Sequence, residues 1–334
     1  MLISLSVFGQ EDGDSRTGEA GASELLINPW AQSSGMSGAN TASVRGLESI
    51  FLNVAGLTGV DGTELVFSHA SWFADISINA FGFAQKIGDT GVMGLSVMSL
   101  DFGDIERTTY ENPDGGIGTF SPQFMNIALS YAKKFTYSMS AGVTIKMISE
   151  SAAELSANGI ALDAGVHYQT GENGEAKFGI TLKNIGPRMS FTGDGLSFRG
   201  IVGDDDDYKM TVEQRSSDFE LPALLNIGMS YDINILRHRL TGAGTFTSNS
   251  FQKDQYRIGC EYSYNELFMV RTGYTYEEGI TDPATRTTAL RGPSAGFTVE
   301  LPMGSSGTTF GLDYSYRHTD PFQGSHSIGA RINL

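Results

Sequence analysis

The chain has 334 residues, a formal net charge of −16 and one cysteine, Cys260. The acidic balance argues against nucleic acid or an anionic leaflet as partner, because both attract cations. No stretch approaches the ~18 apolar residues of a membrane helix, and a lone cysteine excludes a disulfide within the chain.

In chain order, residues 1–10 read as the tail of a secretory signal, apolar and then cut near Gly9 or Gln10. Residues 11–24 have the acidic, Gly/Ser-rich composition of a flexible linker. Residues 25–60 differ from everything after them. Leu25, Leu26 and Ile27 lead into Asn28-Pro29, a run of small residues follows, and Leu47, Ile50, Phe51 and Leu52 fall at partly helical spacing. This segment is expected to be a compact hatch of turns and short helix inside whatever residues 61–334 enclose.

Residues 61–334 repeat one unit. At residues 309–316, Phe310, Leu312, Tyr314 and Tyr316 alternate with Gly311, Asp313 and Ser315. A period of two puts one set on each face of a strand. The polar set contains charges and the apolar set ends in aromatics, which is the pattern of a transmembrane antiparallel β-barrel, apolar outward and polar inward. Fourteen strands are expected, at 62–70, 74–86, 91–102, 122–134, 137–150, 158–170, 176–186, 219–232, 236–248, 252–264, 267–277, 287–301, 307–318 and 324–334. The weakest patterns are 74–86, where Phe81 and Phe83 fall out of phase with Ile76 and Ile78, and 236–248. Every second connection is tight while others, notably 103–121 and 187–218, are long, as in barrels with short periplasmic turns and longer outer loops. An even strand number then places both termini in the periplasm of an outer-membrane protein. The alternating final strand, ending on Leu334, fits a barrel carboxyl terminus.

No catalytic or metal-binding constellation is present. The five histidines lie on separate strands or turns, and no phosphate loop, nucleophile elbow or zinc helix occurs. A non-enzymatic protein without cofactor is the expectation. The inward face carries Lys146, Lys177, Lys183, Arg257, Arg271, Arg317 and Arg331 against Asp163, Asp232, Glu261, Glu300 and Asp313. Such a balance predicts paired charges in a filled lumen rather than an ion-selective pore. Asp204 to Asp207, in the longest loop, reads as a solvated acidic run, with Ca²⁺ binding as the alternative. Trp72 and Phe73, at an outer tip, are candidates for contact with a partner or with lipid at the membrane interface.

The block Leu25, Leu26, Pro29, Gly35, Met36, Ser37, Gly38, Ala39, followed by Asn53, Val54, Ala55, Gly56 and Leu57, resembles the amino-terminal motif of the PorV/PorQ family, relatives of the FadL-type fourteen-stranded barrels. Ser37 stands where the family has Gly, and Val54 where it has Pro, which leaves that turn less rigid. The resemblance implies a hatch built on Pro29, Gly35, Met36, Gly38, Ala39, Asn53, Ala55, Gly56 and Leu57. It implies lipid and lipopolysaccharide as surroundings and a protein-binding role in the type IX secretion of Bacteroidota, with translocon and cargo carboxy-terminal domains as partners. The alternative it leaves open is a FadL-type transporter with a hydrophobic ligand, for which lumen-facing Phe81 and Phe83 would line an apolar pocket.

Overall fold

The computed structural model describes residues 19–201, 209–304 and 307–334. The expected signal remnant at 1–10, most of the linker at 11–24, and Asp204 to Asp207 lie outside the described residues.

Alternation becomes strands where it was expected. They are Thr63–Ser71 (β1), Ser77–Ile87 (β2), Gly91–Asp101 (β3), Ile105–Glu106 (β4), Thr119–Phe120 (β5), Gln123–Lys134 (β6), Met139–Ala152 (β7), Leu155–Thr170 (β8) and Ala176–Ile185 (β9). Then come Ser197–Ile201 (β10), Lys209–Glu213 (β11), Leu224–Ile235 (β12), His238–Asn249 (β13), Gln255–Tyr264 (β14), Phe268–Glu277 (β15), Leu290–Pro302 (β16), Thr309–Thr319 (β17) and Ser325–Asn333 (β18). Fourteen of these form one closed antiparallel barrel, and β1 pairs with β18 to complete it. The short hairpins β4–β5 and β10–β11 stand in the two longest loops, so β3 pairs with β6 and β9 with β12.

The three long links, 102–122, 186–223 and 278–289, all stand at one end, while the other end is crossed by links of two to six residues. The β7–β8 link is only Ala153-Glu154, with Ala153 at φ 51°. These two strands, 14 and 16 residues long, overrun their neighbours, so the hairpin itself takes the place of a long loop. At the opposite end Leu334 exchanges backbone hydrogen bonds with Thr63, which brings the carboxyl terminus to the start of β1.

The outer face is apolar around the middle, with Leu95, Leu129, Ile145, Ile180, Ile258 and Leu312 all exposed. Tyr131, Tyr168, Tyr231, Tyr262 and Phe268 ring the short-turn end, and Tyr256 and Tyr276 stand toward the long-loop end. An apolar band between two aromatic girdles is what a bilayer selects. Cys260 lies on this outer face.

Phe81 and Phe83 also point outward, 48% and 38% exposed, and do not line the lumen. The inner face of β2 is Ile78, Ala80, Gly82 and Ala84, all buried. The two faces of this strand are therefore both apolar, which is why its phase is ambiguous from sequence.

Residues 23–60 fill the inside with short turns of helix, including α1 (Ala31–Ser34) and α2 (Ser49–Leu52). Trp30, Leu47, Ile50, Leu57 and Val60 pack on Val66, Ala80, Val92 and Ala128 of β1, β2, β3 and β6. On the far side the wall is polar, and glycine lets backbone meet backbone. A Cβ on Gly273 would lie 2.3 Å from the Met36 carbonyl carbon, and one on Gly179 would lie 2.7 Å from the Thr41 oxygen. Neither distance is tolerable, so both positions need glycine for close approach.

Candidate functional site

The sequence motif of residues 25–57 turns out to be the fastening of this insert. The Pro29 carbonyl accepts from Ser68 Oγ at 2.7 Å, that of Gly35 from Ser294 Oγ at 3.0 Å, and that of Ala39 from Thr245 Oγ1 at 2.8 Å. Asn53, fully buried, donates Nδ2 to the carbonyl oxygens of Thr41 and Val166, while its Oδ1 accepts from Ala55 N–H. The Ala55 carbonyl accepts from Ser140 Oγ at 3.3 Å. Met36 covers Gly259 and Gly273, Leu57 covers Gly94, and a Cβ on Gly56 would lie 2.2 Å from the Val44 oxygen. Of these nine motif residues, Gly38 alone borders the cavity described below, Gly56 packs within the insert on Val44, and the rest pack against or bond to the wall.

Four of the seven lumen cations pair as the balance of charges suggested. Lys146 meets Asp163 at 2.5 Å, Lys177 meets Asp232, Arg271 meets Glu261 at 2.8 Å and Arg331 meets Glu300 at 2.9 Å. Thr298 Oγ1 donates to Asp313, between Arg271 and Arg331. A shift of register between Leu162 and Ala164 in the β8–β9 pairing turns two successive residues, Lys183 and Asn184, inward. Asn184, at φ 59°, accepts from Lys146 Nζ at 2.8 Å and donates its N–H to Asp163. The bulge thus completes the charge network.

Three cations break the pattern. Lys183, Arg257 and Arg317 make no ion pair among the described residues. Lys183 Nζ sits 3.6 Å from the centre of the Phe51 ring, and the Arg317 guanidinium sits 4.3 Å from the Trp72 ring. Arg257 donates to Gln255 Oε1 at 2.6 Å.

Arg257, Arg317 and Phe51 border a cavity of about 100 Å³ between the insert and β14 to β17. The insert contributes Leu26, Asn28, Ser37 and Leu52; the wall contributes Gln255, Glu277 and Pro293; the long loop after β15 contributes Ile280 and Thr288. Pro293 lies where the β16–β17 register shifts, the place where a strand tolerates a missing donor. The cavity therefore lies in the long-loop half of the barrel, lined by both apolar and hydrogen-bonding groups.

Trp72 and Phe73 are near this cavity but are half-buried. Phe73 stacks on Phe322 at 5.0 Å, and Trp72 lies under Arg317, so the pair forms part of an aromatic cluster at the long-loop end. The sequence reading placed Arg257 and Arg317 inward but had no signal for their separation from the acids. The phase of β14 and β17 gives the direction of a side chain and says nothing of which neighbour it meets.

No protein-family model matches this sequence, and no curated protein matches it either. Solved structures do match the fold. The CymD monoaromatic hydrocarbon channel aligns with a TM-score of 0.55 at 13% identity, covering 92% of this chain and 97% of that one. The toluene transporter TodX of Pseudomonas putida gives 0.57 at 12% identity over 92% and 97%. A FadL homologue of Pseudomonas aeruginosa gives 0.54 at 14% identity over 90% and 96%. The fold is that of a FadL-like barrel.

Proposed function

We propose that this protein is a non-enzymatic outer-membrane conduit for small hydrophobic molecules, with both termini in the periplasm and the insert closing the lumen at rest. The observation that carries this reading is the cavity between insert and wall in the long-loop half, within a fold whose solved neighbours include a monoaromatic hydrocarbon channel and a toluene transporter. A filled lumen with paired charges fits a selective route better than a general pore. The test is uptake of radiolabelled toluene at low concentration by cells whose outer membrane lacks other hydrophobic channels. Expression of this chain accelerates uptake under the proposal; uptake equal to that of cells without it refutes the proposal.

A second reading, a protein-binding component of type IX secretion, rests on the residues 25–57 that resemble the PorV/PorQ motif. The half-buried Trp72–Phe73–Phe322 cluster would be its contact surface. Pull-down of the tagged protein from native membranes separates the two: a translocon or cargo protein supports the second reading, and the barrel alone counts against it.

A further inference from the structure

The leading end of the insert is tied to the long-loop end of the barrel, away from the bonds that fasten the rest. Ala20 bridges Glu220, Gly21 donates its N–H to the Glu220 carbonyl at 3.0 Å, and the Glu220 N–H returns to the Glu19 carbonyl at 3.2 Å. Glu220 belongs to the long link between β9 and β12, within which Met189 and Phe219 exchange backbone hydrogen bonds. Gly21 lies against the Phe219 ring, where a Cβ would come within 2.3 Å. Ala22, Leu25, Ile148, Ala161, Met189 and Leu221 close around this point as a small apolar core, separate from the one under β1 to β6.

Two carboxyls stand inside that core, Glu24 of the insert and Glu150 of β7, 2% and 4% exposed. They face each other, and neither meets a cation among the described residues. Both oxygens of Glu24 and Oε1 of Glu150 receive no hydrogen bond there, while Glu150 takes the Ala22 N–H. The charges around the core are engaged elsewhere or lie in solvent. Arg188 pairs with Glu220 at 2.6 Å, Arg107 with Glu154 at 3.6 Å, and Lys146, deeper on β7, with Asp163. From β8, residues 157–161 bring no charge, and Glu19 and Asp218 are exposed. Two bare carboxylates in this space would each raise the cost of the other, whereas one proton between them lets one donate to the other.

We propose that Glu24 and Glu150 share one proton as a pH-controlled clasp that holds residues 19–26 at the long-loop mouth, and that loss of the proton releases this end of the insert alone. Glu24 carries the proton, because Glu150 already accepts the Ala22 N–H and is the better-supported charge. Burial and then the facing Glu150 raise the Glu24 carboxyl to about 8. Between the ordinary carboxylate range and that value the closed clasp keeps a proton that the open one loses. Opening therefore rises by about tenfold per pH unit over this range and levels off above it. The next part of the insert is held by Ser68 on Pro29 and Ser294 on Gly35, hydroxyl bonds that do not titrate, so the release is local. The clasp does not depend on what the barrel carries.

The test is hydrogen exchange of the full chain in detergent from about pH 5 to about pH 9, each rate divided by that of an unstructured peptide at the same pH. Protection at Gly21, Leu25 and Ile27, bonded to Glu220, Ala22 and Glu24, is expected to fall about tenfold per pH unit up to about pH 8. Gly38 and Ala39, bonded to Ser33 and Met36, should keep theirs. Glu24→Gln and, independently, Glu150→Gln should each flatten the slope, because an amide donates to the remaining carboxylate and has no proton to lose. Heat-modified mobility on gels identifies a variant that fails to fold, and the slope in the parent chain stands without the variants. Protection at Gly21 and Leu25 that is independent of pH in the parent, or a slope that survives both substitutions, overturns the clasp. An equal fall at Gly38 and Ala39 overturns its local character. Protection restored above about pH 8 by millimolar Ca²⁺ in the parent, and in neither variant, overturns the proton in favour of a cation.

Discussion

Gly273→Ala tests the contact between insert and wall. The new Cβ would stand 2.3 Å from the Met36 carbonyl carbon and 2.7 Å from the Ser37 nitrogen, where ordinary contact begins at 3.4 Å. The difference between 3.4 and 2.3 Å, about 1.1 Å, is the least distance the insert must retreat. On this flank it is held by Ser294 to Gly35 at 3.0 Å, Ser37 to Gly292 at 3.2 Å and Thr245 to Ala39 at 2.8 Å. A retreat of that size takes two or three of these bonds beyond hydrogen-bond range. At roughly 0.5–1.5 kcal/mol each, plus about 1–3 kcal/mol of overpacking, the cost is about 2–7 kcal/mol. If it falls on the insert alone, local opening rises by at least about 30-fold. Hydrogen exchange reads this at the Gly38 and Ala39 amides, which are bonded to Ser33 and Met36. Gly242→Ala, with nothing within 4 Å of its Cβ, is the neutral control. Unchanged protection at Gly38 and Ala39 in Gly273→Ala would refute the close approach on which the plugged lumen depends.

Three further outcomes follow from the same structure. Leu129→Arg, in the middle of β6 on the outer face, should cost about 2–4 kcal/mol of folding stability in bilayers, measured by urea unfolding in lipid vesicles. Arg271→Met takes one guanidinium from Glu261 and Asp313 but leaves them Arg239 and Arg331, and should lower stability by about 1–3 kcal/mol, whereas a surface substitution such as Arg188→Met should cost under about 1 kcal/mol. Burial first, then the facing Glu150, raises the Glu24 carboxyl from 4.5 to about 8. The folded chain therefore keeps a proton that the unfolded chain loses, and this contribution to stability disappears as pH rises from 4.5 through about 8. Glu24→Gln should melt like the parent near about pH 5 and later than the parent near about pH 9, and equal melting at both would contradict that sign.

The wall was legible because its signal is local. A strand in a barrel meets apolar surroundings on one side and polar on the other, and this is written in every second residue of β14 or β17. The signal fails where the inner side is apolar too, as in β2, whose Ile78 and Ala84 meet the insert while Phe81 and Phe83 meet the bilayer. It fails also at the β9 bulge, where Lys183 and Asn184 both turn inward and break the period. The candidate site was less legible still. Its donors come from Asn28 in the insert and Arg317 in β17, nearly the whole chain apart, and only packing shows that Arg317 meets Trp72 rather than an acid among the described residues. The family-like block at 25–57 did carry information, about how the insert is fastened rather than about what the barrel binds.

Fourteen strands about 4.8 Å apart and tilted about 40° enclose a lumen roughly 14 Å in radius to the backbone, wide enough to conduct ions freely if it were empty. The direct measurement is single-channel conductance in planar bilayers of the full chain and of a chain lacking residues 25–60, each first shown to be a folded barrel. The account predicts silence from the full chain and large, steady conductance from the deletion. Porin-like current through the full chain, or silence from a folded deletion, would contradict the claim that the insert closes this barrel.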